Sequence, residues 1–204
     1  MSCEVSASGG NFTPCPAGLH PAICTAVIPV GTQTGSFKGT PKLQSKVVLS
    51  FEVCTPKMAD GKPYTINAYL TASISDNAVL RQFLKSRRGR DFTADELKKF
   101  DLHNVVGVPC QINVLHEDNK QGGVRDMIQG VLPKAAGFAY PPPVNPLIKF
   151  SLKNWDQAAY DRLPEWIKKK IAASPEGAAK LTGGTAPAAG TQTAAAPSDS
   201  EIPF

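Results

Sequence analysis

Two runs of strict alternation constrain this chain more than any other feature. From Lys46 to Cys54, Val47, Leu49, Phe51 and Val53 fall on one face, and Lys46, Ser50 and Glu52 on the other, with Val48 the exception. From Tyr64 to Ile74, Tyr64, Ile66, Ala68, Leu70 and Ile74 share one face, and Thr65, Asn67, Tyr69, Thr71 and Ser73 the other. A period of two is the signature of a half-buried strand. Asp60-Gly61 and Pro63 separate the runs and mark a turn.

Other segments fit around this pair. Leu19 to Val30 is apolar and reads as an earlier strand, followed by a Gly-rich polar loop from Gly31 to Lys42. After Ile74 the period changes. Ser75-Asp76 reads as an N-cap, and Val79, Leu80, Phe83 and Leu84 fall at helical spacing up to Gly89. Thr93-Ala94-Asp95-Glu96 is a capping box for a short second helix. Val108 to Leu115 and Val124 to Leu132 read as strands joined by a turn at Asn119–Gly123. The expected order is three strands, a helix and two strands. That is the order of the OB-fold, a five-stranded Greek-key barrel with its helix between strands three and four. An open α+β sheet is the alternative. The expected fold class is therefore mainly β, with C-terminal helices and a disordered tail.

Residues 1–17 read as a flexible arm and 18–133 as the barrel domain. Residues 134–173 hold a Pro-rich segment and two helical patterns, carrying Trp155 and Trp166 as expected anchors onto the barrel. From residue 174 the composition falls to Ala, Gly, Thr, Pro and Ser. That stretch, 174–197, reads as a disordered linker because it holds too little apolar area to offset its ordering entropy. Residues 198–204 form a separate tip.

The 204 residues are enough for one ordinary domain with appendages, and 42% hydrophobic content provides for a core. No run approaches the roughly 18 apolar residues of a membrane-spanning helix. The N-terminus has neither the basic nor the apolar region of a secretory signal, so a cytoplasmic location is expected. The five cysteines (Cys3, Cys15, Cys24, Cys54, Cys110) form no C-x-x-C pair, so free thiols and no zinc are expected. No phosphate loop, nucleophile elbow or paired carboxylate appears, so neither enzymatic activity nor a cofactor is expected.

Charge is unevenly distributed. Residues 176–204 carry one base and three acids, while the remainder carries 21 bases against 14 acids. A basic body suits a polyanion. A groove that holds single strands without regard to sequence needs cations for phosphates and aromatic faces for bases. Strand phase and loop position nominate Phe37, Lys38, Lys42, Lys46, Tyr69 and Arg125. The densest basic run adds Lys85, Arg87, Arg88 and Arg90, which also suits a helix C-terminus.

The tip reads Ser198-Asp199-Ser200-Glu201-Ile202-Pro203-Phe204. Asp199, Glu201, Ile202, Pro203 and Phe204 suit a partner with an apolar pocket and a basic rim. This tip resembles that of bacterial single-stranded DNA-binding proteins, which ends in several Asp followed by Ile-Pro-Phe. Here the acids are fewer and serine interrupts them. The plan of basic body, low-complexity linker and tip resembles phage-encoded single-stranded DNA-binding proteins. The body more loosely resembles phage proteins of this size, through Gly31-Thr32-Gln33-Thr34-Gly35, Phe100-Asp101-Leu102 and Pro143-Val144-Asn145-Pro146-Leu147. The resemblance implies a protein that coats single-stranded DNA during replication or recombination in a bacterial host's cytoplasm. It also implies recruitment of replication or recombination proteins through the tip. The alternative expectation is a protein-interaction adaptor whose tip mimics a host protein. Convergence of the aromatic and basic candidates on one groove separates the two.

Overall fold

The computed structural model describes residues 13–37, 39–118 and 123–183, with the side chains of Ser36 and Phe37 excepted. The Asn119–Gly123 turn, apart from Gly123, and the 198–204 tip lie outside the described residues. The protein is mainly β. Its strands are β1 (Gly18–Phe37), β2 (Thr40–Lys57), β3 (Pro63–Thr71), β4 (Pro109–Asp118), β5 (Val124–Leu132) and the short β6 (Ile148–Lys149). The helices are α1 (Val79–Arg88), α2 (Ala94–Lys98), α3 (Gln157–Asp161), α4 (Glu165–Ala172) and α5 (Pro175–Leu181), and a 3₁₀ turn spans Leu102–Val105. The sheet order is β3-β2-β1-β4-β5, antiparallel throughout, and β6 adds to β1 in parallel. β3 and β5 are the two ends of this path, and α1 packs against both.

The predicted loop at Gly31–Lys42 is instead the far end of a long hairpin. β1 and β2 stay in register from Gly31↔Lys46 out to Phe37↔Thr40. Its Thr and Gln residues are polar on both faces, so the alternation that marks a half-buried strand is absent although the ladder continues. The ladder shifts register between Pro29 and Gly31, and Gly31 adopts φ 76°.

Two cores sandwich β1 and β2. The first holds Phe51, Leu49, Ile66, Ile112 and Val114 with Leu80, Phe83 and Leu84 of α1. The second, on the opposite face, joins Ala26, Ile28, Val30 and Val48 to Phe150, Tyr160, Leu163, Ile167 and Ile171. Val48, the exception to the alternation, is fully buried there. Each such aliphatic side chain contributes about 1.5–3 kcal/mol relative to exposure.

Hydrogen bonds fix the C-terminal layer to the sheet. Glu52 is 3% exposed despite lying on the nominally polar face of β2. Its carboxylate accepts from the Val144 and Asn145 backbone N–H groups at 2.8 and 2.7 Å and from Asn145 Nδ2 at 2.6 Å. Three donors offset the cost of burying that carboxylate and tie down the Pro-rich segment. Trp155 packs on Phe150 and Tyr160 of the same C-terminal layer, at centroid distances of 5.4 and 4.8 Å, against the second core. Trp166 does not anchor in this way and is 41% exposed.

Three local expectations are corrected. Residues 175–181, placed in the linker, form α5. Ser174 caps it, with its Oγ accepting from Gly177 N–H at 3.0 Å. Glu176 accepts from the Thr32 N–H and hydroxyl at 2.9 and 2.5 Å. Burial alone would raise the Glu176 carboxyl, but the Thr32 bonds hold it below its ordinary range. A Cβ at Gly31 would lie 2.3 Å from Ser174 Oγ, and one at Gly177 would lie 2.0 Å from the Ile171 carbonyl oxygen. These close approaches order a segment whose composition alone argues against order. Residues 13–17 of the expected arm are also held. Cys15 is fully buried, its N–H donates to Asp126 at 3.0 Å, and its carbonyl lies 2.8 Å from His116 Nε2. Finally, α1 starts at Val79 with Ala78 at its N-cap, which has no side chain to cap it, and Asp76 pairs with Arg81. The Thr93–Glu96 capping box forms as expected.

Candidate nucleic-acid interface

Tyr69 owes its position to the β2–β3 register. Val48 pairs with Tyr69 and Lys46 with Thr71, so all four side chains share the outer face. The C-terminal layer covers Val48 but leaves Tyr69 41% exposed at the sheet's edge. Lys46 Nζ donates to Gln44 Oε1 at 2.7 Å and to Thr71 Oγ1 at 2.8 Å, and stands 5.8 Å from the Tyr69 ring centroid. Its partners here are neutral oxygens, so its charge remains uncompensated by them. Partial burial lowers the Lys46 pKa and raises that of Tyr69. Lys170 of α4 places its Nζ 5.8 Å from the same ring. The Tyr69 ring therefore has an ammonium at cation–π range from each of two elements.

Two open grooves adjoin at this tyrosine. The first, of about 450 Å³, runs along the β3 edge and is lined by Lys42, Lys46, Tyr69 and Thr71, with Asn77 and Val79 beyond. The second, of about 470 Å³, lies between β3 and β5 and is lined by Asn67, Tyr69, Phe83, Arg125 and Met127. Tyr69, Leu70 and Val79 line both. Four predicted residues, Lys42, Lys46, Tyr69 and Arg125, thus meet along one continuous surface. Arg125 comes with a counter-charge, donating to Glu117 at 2.5 Å.

The remaining basic candidates are elsewhere. Lys85, Arg87, Arg88 and Arg90 lie at and beyond the C-terminus of α1, whose first residue, Val79, reaches the groove. Helical rise alone separates those ends by about 13 Å. Lys85 pairs with Asp91 at 2.8 Å and Arg90 with Glu96 at 2.8 Å. Arg88 also pairs with Glu96 and lies over the Phe92 and Phe100 rings, at 4.7 and 5.7 Å. Arg87 donates to the Val108 carbonyl at 3.1 Å. The Lys85 bond, with Phe92 N–H and Arg81, holds the Asp91 carboxyl down at about 2, and the Arg90 bond, with Thr93 N–H and Arg88, does the same for Glu96. The structure therefore does not bring this run to the groove.

Phe37 closes β1 opposite Thr40. Its side chain, all of Lys38, and the tip residues Asp199, Glu201, Ile202, Pro203 and Phe204 lie outside the described residues. Lys170 was missed as a site residue. The run Lys168-Lys169-Lys170 is visible in sequence, but its placement beside Tyr69 depends on α4 docking over β1 and β2.

Among the described residues, no group of three or more His, Cys, Asp or Glu is placed to hold a metal ion. No described helix is long and apolar enough to cross a membrane. Burial pushes the Cys24 and Cys110 thiols up to about 12, away from the thiolate form. No protein-family model matches the chain, and comparison with curated proteins finds no match.

Proposed function

We propose that this protein binds single-stranded DNA along the β3 edge, without regard to sequence. The observation that carries this reading is the meeting of Lys42, Lys46 and Tyr69 at one open groove, with Lys170 reaching the Tyr69 ring from α4. An exposed ring flanked by ammonium groups offers a π-face to a base and charge to the phosphates on either side. The neutral lining residues Gln44, Thr71 and Asn77 add hydrogen-bonding groups without repelling a polyanion.

The strand order, with α1 between β3 and β4, supports the finer reading of an OB-like Greek-key barrel in which α1 plugs the end near β3 and β5. The resemblance of the tip supports a role in phage replication or recombination within a bacterial cytoplasm. In that role Asp199, Glu201, Ile202, Pro203 and Phe204 recruit partner proteins while the sheet holds DNA.

Fluorescence anisotropy tests the reading. The full chain is titrated with a labelled poly-dT oligonucleotide of about 30 nucleotides and with a duplex of equal length, across a range of salt. Single-strand affinity at least tenfold above duplex affinity, falling with salt, is the expected result. Equal weak binding to both would overturn it in favour of an adaptor with a merely basic surface.

A further inference from the structure

The two tryptophans differ in what packing explains. Trp155 is enclosed by Phe150 and Tyr160, and its Nε1 donates to Gln157 at 3.0 Å. Trp166 sits on α4, whose apolar side, Ile167 and Ile171, is fully occupied by the second core. It nevertheless remains 41% exposed, the same fraction as Tyr69. Leaving an indole half in water forgoes hydrophobic stabilisation that a polar residue at this position would not need.

Its neighbours give it a use. Trp166 and Lys170 are four residues apart and so share one side of α4. Lys170 reaches from that side to the Tyr69 ring. Lys46 and Lys170 therefore flank Tyr69, and Trp166 is one helical turn from Lys170, so cations and aromatics alternate along this series of neighbours. That alternation suits a strand whose phosphates and bases alternate along its path. The helix is held firmly. Gln33 Nε2 donates to the Lys170 carbonyl at 2.8 Å, and α5 is tied to Thr32 through Glu176. A platform fixed before binding has less freedom to lose on binding.

We propose that Trp166 is a second stacking platform for the same single strand, and that Lys170 holds the phosphate between it and Tyr69. This inference rests on the single-strand reading above. It extends the interface from the sheet onto the C-terminal helical layer.

Intrinsic tryptophan emission provides a test separate from affinity. Stacking a base on Trp166 quenches its emission, while half-buried Trp155 packs against the second core, and Trp166→Phe separates the two contributions. Titrating the full chain with unlabelled poly-dT of about 30 nucleotides is expected to quench emission in step with the anisotropy of a labelled copy. Trp166→Phe retains a ring, so most of the affinity should persist while the quench disappears. Trp166→Ala should weaken binding about tenfold. Lys170→Ala should weaken it a few-fold and make the logarithmic salt dependence shallower by about 0.7. Because Trp166 is 41% exposed, Trp166→Phe and Lys170→Ala should melt with the native protein and Trp166→Ala only slightly below it, and a melting scan checks this. Native binding without a quench, together with unchanged affinity in Trp166→Ala, would overturn the Trp166 platform and leave the Tyr69 groove standing. Absence of single-strand binding by the native chain would overturn both.

Discussion

At the end of α1, Lys85, Arg88 and Arg90 face Asp91 and Glu96, and Arg87 faces backbone carbonyls. Along β3, Lys46 faces Gln44 and Thr71, and Lys170 faces the Tyr69 ring. The first cluster is denser in sequence, yet its charge is largely used within the fold, where it ties α1 to α2 and to the strap before β4. The second is assembled from three separate elements, and the groups shown beside Lys46 and Lys170 are neutral. Charge density along a chain thus measures how much charge is supplied, not how much is available to a ligand. Availability depends on which acids the fold brings alongside.

If this division of roles is right, mutations in the two clusters should affect different measurements. Arg88→Ala should have the largest effect. It removes an ion pair with Glu96 and the stacking on Phe92 and Phe100, from a side chain only 19% exposed. A loss of about 2 kcal/mol in folding stability is expected by chemical denaturation, with single-strand affinity unchanged in the folded protein. A tenfold loss of affinity without loss of stability would collapse the distinction between the clusters. Tyr69→Ala should do the reverse. Losing one stacked aromatic should weaken single-strand binding by about 1–3 kcal/mol, read by anisotropy, with a smaller change in stability because Tyr69 is 41% exposed.

How legible these clusters were in the sequence follows from periodicity. Alternation placed β2 and β3 and set Tyr69 opposite the core, because a half-buried strand displays its faces directly. The largely apolar run from Ala22 to Val30, interrupted only by Thr25 and Pro29, carries a further signal. A strand that is apolar on both sides is covered on both sides, and Ala26, Ile28 and Val30 indeed face the second core. Taken together with Val48, that run points to a second layer. The approach of Lys170 to Tyr69 was not legible, because nothing local to α4 says over which strands it lies. The burial of Glu52 was equally hidden, since its donors are some 90 residues away in the Pro-rich segment. The pairing of Arg88 and Arg90 with Glu96, and of Arg87 with the Val105 and Val108 carbonyls, was not legible because these partners lie across a turn, where helical spacing rules do not reach.

A smaller effect sharpens the groove side of the comparison. Lys46→Ala should weaken single-strand binding a few-fold and reduce the logarithmic salt dependence by about 0.7, the share of one phosphate contact. Lys85→Ala, its counterpart at the end of α1, should leave the salt dependence unaltered because Asp91 already compensates that charge. Equal changes in the two variants would mean that the pairing with Asp91 does not withhold Lys85 from DNA.

The smallest effect at neutral pH, and the one most specific to the α1 cluster, is in its acid limb. The Asp91 carboxyl is held at about 2, below its ordinary 3.8, by Lys85, the Phe92 N–H and Arg81. A carboxyl depressed on folding contributes stability that is present above its unfolded pKa and is lost as pH falls through its folded one. Native stability should therefore decline between about pH 4 and pH 2. Asp91→Asn retains an oxygen to accept from Phe92 N–H but cannot titrate, so melting scans across this window should fall less steeply in the variant. Its single-strand affinity at neutral pH should match that of the native protein, because Asp91 lines neither groove of the proposed interface. A variant whose acid limb is unchanged would show that the charge on Asp91 does not hold the cluster together. A variant that gains affinity would show that Lys85, once released, can reach DNA after all.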